Sequence, residues 1–258
     1  QQVAGPRALA MGEVHRGIGS SNDTIFFNPA GMSLFPRYSL ELFWRREFVR
    51  AGNLFGFSVV DSKSGPVGGG IAYTYEYRGA RGELRNGSRL DVSASYRIAN
   101  FLLIGTTVRY VGMGTADGDV SRVTGDTGLL FVLGDWLFFG LSGHNVVNPA
   151  ETAAVAPRTF GGGLSVVAGH LQVGFDYQIS AERDGTPDSY YVGAEYFAFG
   201  FLALRAGYVL DHLYGESRWT AGLGYVSPDI GVDLAYSQTI AESGVRAQYL
   251  SLGLRFFR

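Results

Sequence analysis

The sequence predicts an all-β fold, a fourteen-stranded antiparallel transmembrane β-barrel with an N-terminal plug inside its lumen. Three observations predict it. Side chains alternate between apolar and polar or small from Tyr38 to the end; the composition is apolar and Gly-rich yet poor in charge; and the connections alternate between short and long.

The alternation is the primary signal. Leu171, Val173, Phe175, Tyr177 and Ile179 fall on one face of a strand, and Gln172, Gly174, Asp176, Gln178 and Ser180 on the other. The same period runs through Leu90–Tyr96 and Ile230–Tyr236. It predicts strands at 38–49, 51–60, 67–78, 88–98, 101–112, 120–133, 136–147, 158–167, 170–182, 188–197, 201–211, 216–226, 229–240 and 245–257. Each is near the length that a tilted strand needs to cross a bilayer, about ten residues. Tight connections are read at Ala99-Asn100, Gly134-Asp135, Ala168-Gly169 and Ser227-Pro228. Longer polar ones are read at 79–87, 114–119, 148–157 and 183–187. Short turns on one side and longer loops on the other are the pattern of bacterial outer-membrane barrels. Aromatic residues near the strand ends are expected to form interfacial girdles: Trp136, Phe197, Phe199, Phe201 and Phe256 on the short-turn side, and Tyr77, Tyr110 and Trp219 on the other.

Composition excludes several classes. Charged residues make up 17% of the 258 residues, against about 25% in an ordinary soluble domain, and 38 residues are Gly. No apolar run reaches the roughly 18 residues of a membrane helix; Leu129–Leu133 and Trp136–Leu141 are broken by Gly134 and Asp135. No leader begins at Gln1, as expected where a secretory signal has been removed. The net charge of −2 and the scattered Arg residues argue against nucleic acid as a partner. With no Cys there is neither a disulfide framework nor a thiolate metal site. In a soluble β-sandwich the polar face would carry many Lys and Glu. Here it is mostly Gly, Ser, Thr and Ala, with isolated charges of both signs: Glu41, Glu76, Asp91, Asp126, Asp176, Glu195 and Asp233 against Arg45, Arg78, Arg97, Arg109, Arg205, Arg218 and Arg255. Balanced charge among many glycines suggests a lumen of paired ions, packed by another piece of chain that approaches the wall closely.

Residues 1–37 do not alternate and are read as the plug, with 38–258 as the barrel. Ala8–Met11 suits one helical turn ended by Gly12. Asn28 before Pro29 is biased away from helix, and Gly31 permits a tight turn. The Ala, Leu, Ile, Phe and Met content of the segment argues against a disordered leader. Two spaced motifs stand out: Gly5, Arg7, Met11 and Gly12 in one, and Asn28, Pro29, Ala30 and Gly31, after an aromatic residue, in the other. This pair resembles that of the FadL/TodX outer-membrane transporters and their PorV-like relatives. The resemblance implies a fourteen-stranded barrel with an N-terminal hatch in the bacterial outer membrane. It implies passive passage of small hydrophobic molecules, or a non-transporting barrel that anchors or recruits protein partners of a surface or secretion machine. The expected partners are membrane lipid and either a small hydrophobic ligand or the proteins of an outer-membrane complex. The longest connections, about ten residues, are shorter than the loops that build the external groove of the fatty-acid transporters. That feature favours the PorV-like reading.

Gly68, Gly69 and Gly70 in the third strand favour transport. Consecutive glycines weaken a ladder, and in the resembled family a kink in strand three opens a lateral gap. The other use of these glycines is to make room for the plug. A break here is expected to face the plug near Asn28. No catalytic residues, cofactor or metal site are assigned. Ser142 and His144 share a strand face with Asn145 beside them, but nucleophilic catalysis needs an orienting third group and an oxyanion site. The pair is read as a lumen hydrogen bond. Gly161–Gly163 opens no helix and is not a phosphate cradle.

Overall fold

The computed structural model describes residues 3–49, 51–77, 86–115, 118–147, 157–181, 188–212, 215–241 and 247–258. The strands are β1 (Tyr38–Glu47), β2 (Asn53–Asp61), β3 (Val67–Tyr77), β4 (Gly87–Ala99), β5 (Leu102–Thr115), β6 (Gly118–Leu133), β7 (Leu137–His144), β8 (Thr159–Ala168), β9 (Leu171–Ser180), β10 (Asp188–Ala198), β11 (Leu202–Asp211), β12 (Glu216–Val226), β13 (Ile230–Ala241) and β14 (Gln248–Phe257). Each pairs antiparallel with its sequence neighbours, and β1 pairs with β14, so the sheet closes into a barrel. Closure leaves no unpaired edge, which a lipid environment demands of strands.

The period-two pattern sets the faces. On β1 burial alternates residue by residue: Ser39, Glu41, Phe43 and Arg45 are buried, while Leu42 is exposed. The exposed set around the barrel is apolar and aromatic, from Phe55 and Tyr73 through Val108, Val173 and Leu204 to Leu252. Such a surface suits lipid tails. Of the expected girdle residues, Trp136, Phe199, Phe201 and Phe256 and, at the other end, Tyr77, Tyr110 and Trp219 are exposed. Phe197 is the exception: it pairs with the fully buried Ala203 and so shares the inward face.

The predicted strand ends shift where the backbone leaves the extended region. β7 stops at His144 because Asn145 adopts a φ of 55°, and β2 starts at Asn53 rather than at 51 because Ala51 has a φ of 54°. β5 and β6 run further than predicted, pairing out to Thr115 and Gly118. The connections read at 79–87, 148–157 and 183–187 lie largely outside the described residues, as does Arg78.

The N-terminal residues form two short helices, α1 (Pro6–Ala10) and α2 (Thr24–Phe27), and a 3-10 helix (Pro29–Ser33). Nearly every residue from Ala4 to Met32 is buried. Helix α1 starts two residues before the predicted turn, because the fixed φ and missing N–H of Pro6 suit a first helical position. It ends as expected at Gly12, whose φ of 66° is left-handed. Asn28 is extended (φ −151°), and its side-chain oxygen accepts from the Ala30 N–H, starting the 3-10 helix. Gly31 lies in a tight turn, its N–H donating to the Asn28 carbonyl at 3.1 Å and its carbonyl accepting from the Leu34 N–H at 3.1 Å. It sits inside that helix, where a Cβ would stand 2.8 Å from Thr24 Cγ2 and 2.9 Å from Gly19 Cα.

Candidate functional site

Two ionic networks line the inward face, and the first joins it to the N-terminal segment. In the first, Arg7 of α1 reaches Glu195 on β10 (2.6 Å). Glu195 also accepts from Arg205 on β11 (2.5 Å), Arg205 donates to Asp233 on β13 (2.6 Å), and Asp233 pairs with Arg255 on β14 (2.7 Å). In the second, Asp91 on β4 accepts from Arg89 (2.6 Å) and Arg109 (2.8 Å), and Arg109 pairs on its other side with Asp126 on β6. These carboxylates are essentially fully buried, so each charge depends on its partner. Removing one member of a buried pair costs about 3–5 kcal/mol.

Smaller contacts position the rest of the segment. Asp176 on β9 accepts from the backbone N–H groups of His15 and Arg16 (2.9 Å each), and from the Arg16 guanidinium (3.4 Å). Glu13 pairs with Arg218 at 2.9 Å, and Thr220 donates to the Ala10 carbonyl at 2.9 Å. The Gly5 N–H donates to Asp23 at 2.6 Å. Asn28 donates from its amide to the carbonyls of Arg16 (2.8 Å) and Leu129 (2.9 Å). Close approach is met by bare wall: a Cβ on Gly193 or Gly207 would strike the backbone of Met11 and Gly12, and one on Gly105 the backbone of Pro29 and Ala30. The structure thus gives the motif residues Gly5, Arg7, Met11, Gly12, Asn28, Pro29, Ala30 and Gly31 contacts with the wall or with one another. Sequence reasoning missed Glu13, Arg16, Asp23 and Arg89. Arg89 shares the parity of Asp91 and was within reach of the alternation; the other three belong to a segment with no period to read.

Ser142 and His144 face inward, as expected, and the third group is Asp126: His144 Nε2 lies 3.3 Å from Ser142 Oγ, and its Nδ1 3.0 Å from Asp126 Oδ2. The space in front of this row is filled. Ser142 lies between Gly128 and Gly161, whose inward sides face Asn28 and Arg16, and Asp126 also accepts from Arg109 and the Asn145 N–H. A substrate has no room there, so the row acts as a link in the second network.

Apolar clusters fill other parts of the interior, one of them beside β1–β3. Phe43, Leu54, Val60, Ala72, Ala235 and Tyr249, from β1–β3, β13 and β14, pack on Leu9, Ile25, Phe26 and Met32. This sector abuts Gly68–Gly70. A Cβ on Gly70 would meet Met32 Sδ at 2.6 Å and Ile25 Cδ1 at 3.0 Å; one on Gly68 would meet the hydroxyls of Ser33 and Ser95. Gly69 faces outward, with nothing within 4 Å of its Cβ position. Across the ladder Gly68, Gly69 and Gly70 pair with Ser95, Ala94 and Ser93, so the wall here has small residues on both strands. The break expected at Gly68–Gly70 is absent: β3 pairs with β4 without a register shift from Val67 to Glu76, and with β2 from Gly69 to Tyr77. Asn28 lies elsewhere, against β6 and β7, and the residues that face the glycines are Ile25, Met32 and Ser33. The 3-10 helix runs obliquely from β6 to β3, which carries its two ends to different strands.

A closed fourteen-stranded barrel with an apolar exterior and a paired-ion interior is an outer-membrane β-barrel. Its fold is that of the FadL/TodX-type outer-membrane hydrocarbon transporters. The Ralstonia pickettii toluene transporter TbuX superposes with a TM-score of 0.76 at 15% identity, over 100% of this chain and 98% of that one. A Pseudomonas aeruginosa FadL homologue gives 0.75 at 11% identity, over 99% of each chain, and the monoaromatic hydrocarbon channel CymD gives 0.73 at 13%, over 98% and 97%. These neighbours are transport proteins, not enzymes. No protein-family model and no curated protein matches the sequence.

Proposed function

We propose that this barrel passes small hydrophobic molecules across the outer membrane without an energy source. In this reading residues 1–37 are its plug, and the exit is sideways into the bilayer between β3 and β4. The observation that carries the reading is the apolar sector of the interior ending at Gly68–Gly70. An apolar solute gains nothing by leaving into water, so a path from an apolar interior to lipid is favoured over an aqueous one. At the glycines only backbone separates Met32 and Ile25 from the exterior. Opening the ladder costs several kcal/mol for each backbone group left unsatisfied in lipid. The hydroxyls of Ser33, Ser93 and Ser95 lie at the spot to satisfy freed groups; Ser33 and Ser95 are already 2.6 Å apart. In this reading the continuous ladder is the resting state, and passage requires its transient opening.

Gly69→Val is the direct test. The new side chain meets no neighbour and suits a strand, so the barrel should fold, while the bare patch is filled. Uptake of an apolar probe into proteoliposomes should fall several-fold. Unchanged uptake would remove strand three from the route.

A second reading, the PorV-like barrel that recruits proteins, is favoured by the continuity of the ladder itself. Stoichiometric co-purification of protein partners from native membranes, together with uptake no greater than that of empty liposomes, would establish it in place of the first.

A further inference from the structure

At the short-turn mouth of the barrel lies a second feature, a cavity of about 410 Å³, toward the low end of the size range of ligand pockets. Its upper wall is apolar: Phe138, Val167, Phe197, Val226 and Phe257 are inward-facing residues near the short-turn ends of their strands, and Leu34 closes one side. At a mouth open to water, inward-facing residues would be expected to be polar. The floor is basic. Arg7, Arg205 and Arg255 belong to the first ionic network, but Arg37 does not: it has no carboxylate partner among the described residues. One of its Nη atoms donates to the Ser21 carbonyl at 2.6 Å, and its Nε has no partner. Arg205 Nη2 is also without one. Burial, and then the positive charges of Arg7 and Arg255, lower the pKa of Arg37 to about 10. Glu41 and Asp23 act in the opposite direction, so the shift is first a consequence of burial.

We propose that this vestibule binds a small amphipathic organic anion, with its carboxylate at Arg37 and its apolar body against the ring of Phe138, Phe197 and Phe257. The site stands apart from the strand-three wall and does not depend on the lateral route. Apolar walls with a few convergent polar groups are the ordinary form of a small-molecule site. A guanidinium with no carboxylate partner and a free N–H is the group that recognises a carboxylate.

The test is calorimetric titration of the full chain in a non-ionic detergent. The probes are 2-naphthoate, its neutral counterpart 2-naphthol, and acetate, which carries the charge without the body. Partition into micelles cancels when the wild type is compared with Arg37→Gln in the same detergent. Naphthoate should bind at least tenfold more tightly than naphthol or acetate. Arg37→Gln should weaken naphthoate about tenfold, the effect of losing one charge-assisted bond, and leave naphthol unchanged. Arg37→Lys, which retains the charge, should hold most of the affinity and covers the case in which the Gln variant does not fold. Equal affinity for acetate and naphthoate would overturn the apolar half of the site. Equal naphthoate binding in wild type and Arg37→Gln, or none in either, would overturn the proposal.

Discussion

His15 shows how a single residue ties the N-terminal segment to the conditions around it. It is fully buried, its Nε2 lies 3.0 Å from Ser21 Oγ, and its ring stands against Phe27. Burial first, and the charge of Arg7 second, lower its pKa to about 3, against an ordinary value near 6.5. Above pH 6.5 the imidazole is neutral whether the segment is packed or free. Below it the free segment takes up a proton and the packed one does not, so packing is stabilised less as pH falls from 6.5 toward 3. Amide-exchange protection of residues 13–18, corrected for intrinsic rates, should therefore drop between pH 7 and pH 5. His15→Gln should flatten that drop; an equal drop in the variant would assign the acid response to another group. The motif residues were legible at this scale because glycine, proline and a capping Asn have local consequences. The partner of Arg7 was not, since Glu195 is 188 residues away and only barrel closure brings the two together.

At the scale of the elements, the strands were legible because one face must meet lipid and the other must not, and that requirement writes a period of two into every crossing. Phe197 shows the limit of the pattern: an aromatic residue near a strand end reads as girdle, yet its parity with Glu195 turns it inward. The helices of the N-terminal segment left little trace, because packed on all sides they have no polar face to mark a helical period. Their seating depends on glycine in the wall instead. Gly193 and Gly207 lie under Met11 and Gly12, and any Cβ there would meet backbone that cannot swing aside. Gly193→Val should keep the barrel, seen as unchanged strand content by circular dichroism, while residues 5–14 become open to limited proteolysis. Retained protection would mean that the segment is held by its ion pairs alone.

For the whole molecule, the closed ladder, the paired-ion sectors and the apolar clusters form one arrangement. Polar contacts hold the segment from β1 and β2, where Asn22 meets Ser39 and Ser58, round to β12, whereas at Gly70 of β3 the wall is met by Ile25 and Met32; the proposed lateral route runs through that place. Which sector is polar depends on which strands face which part of the segment, and that was invisible until the barrel closed. The most direct test uses the absence of cysteine. Gly69 and Ala94 are register partners on the outer face, so Gly69→Cys combined with Ala94→Cys gives one unique disulfide across β3 and β4. Uptake of an apolar probe into proteoliposomes is then measured in the oxidised and reduced states of the same protein. Lateral passage predicts that uptake is lost on oxidation and restored by reductant; equal uptake in both states would contradict it.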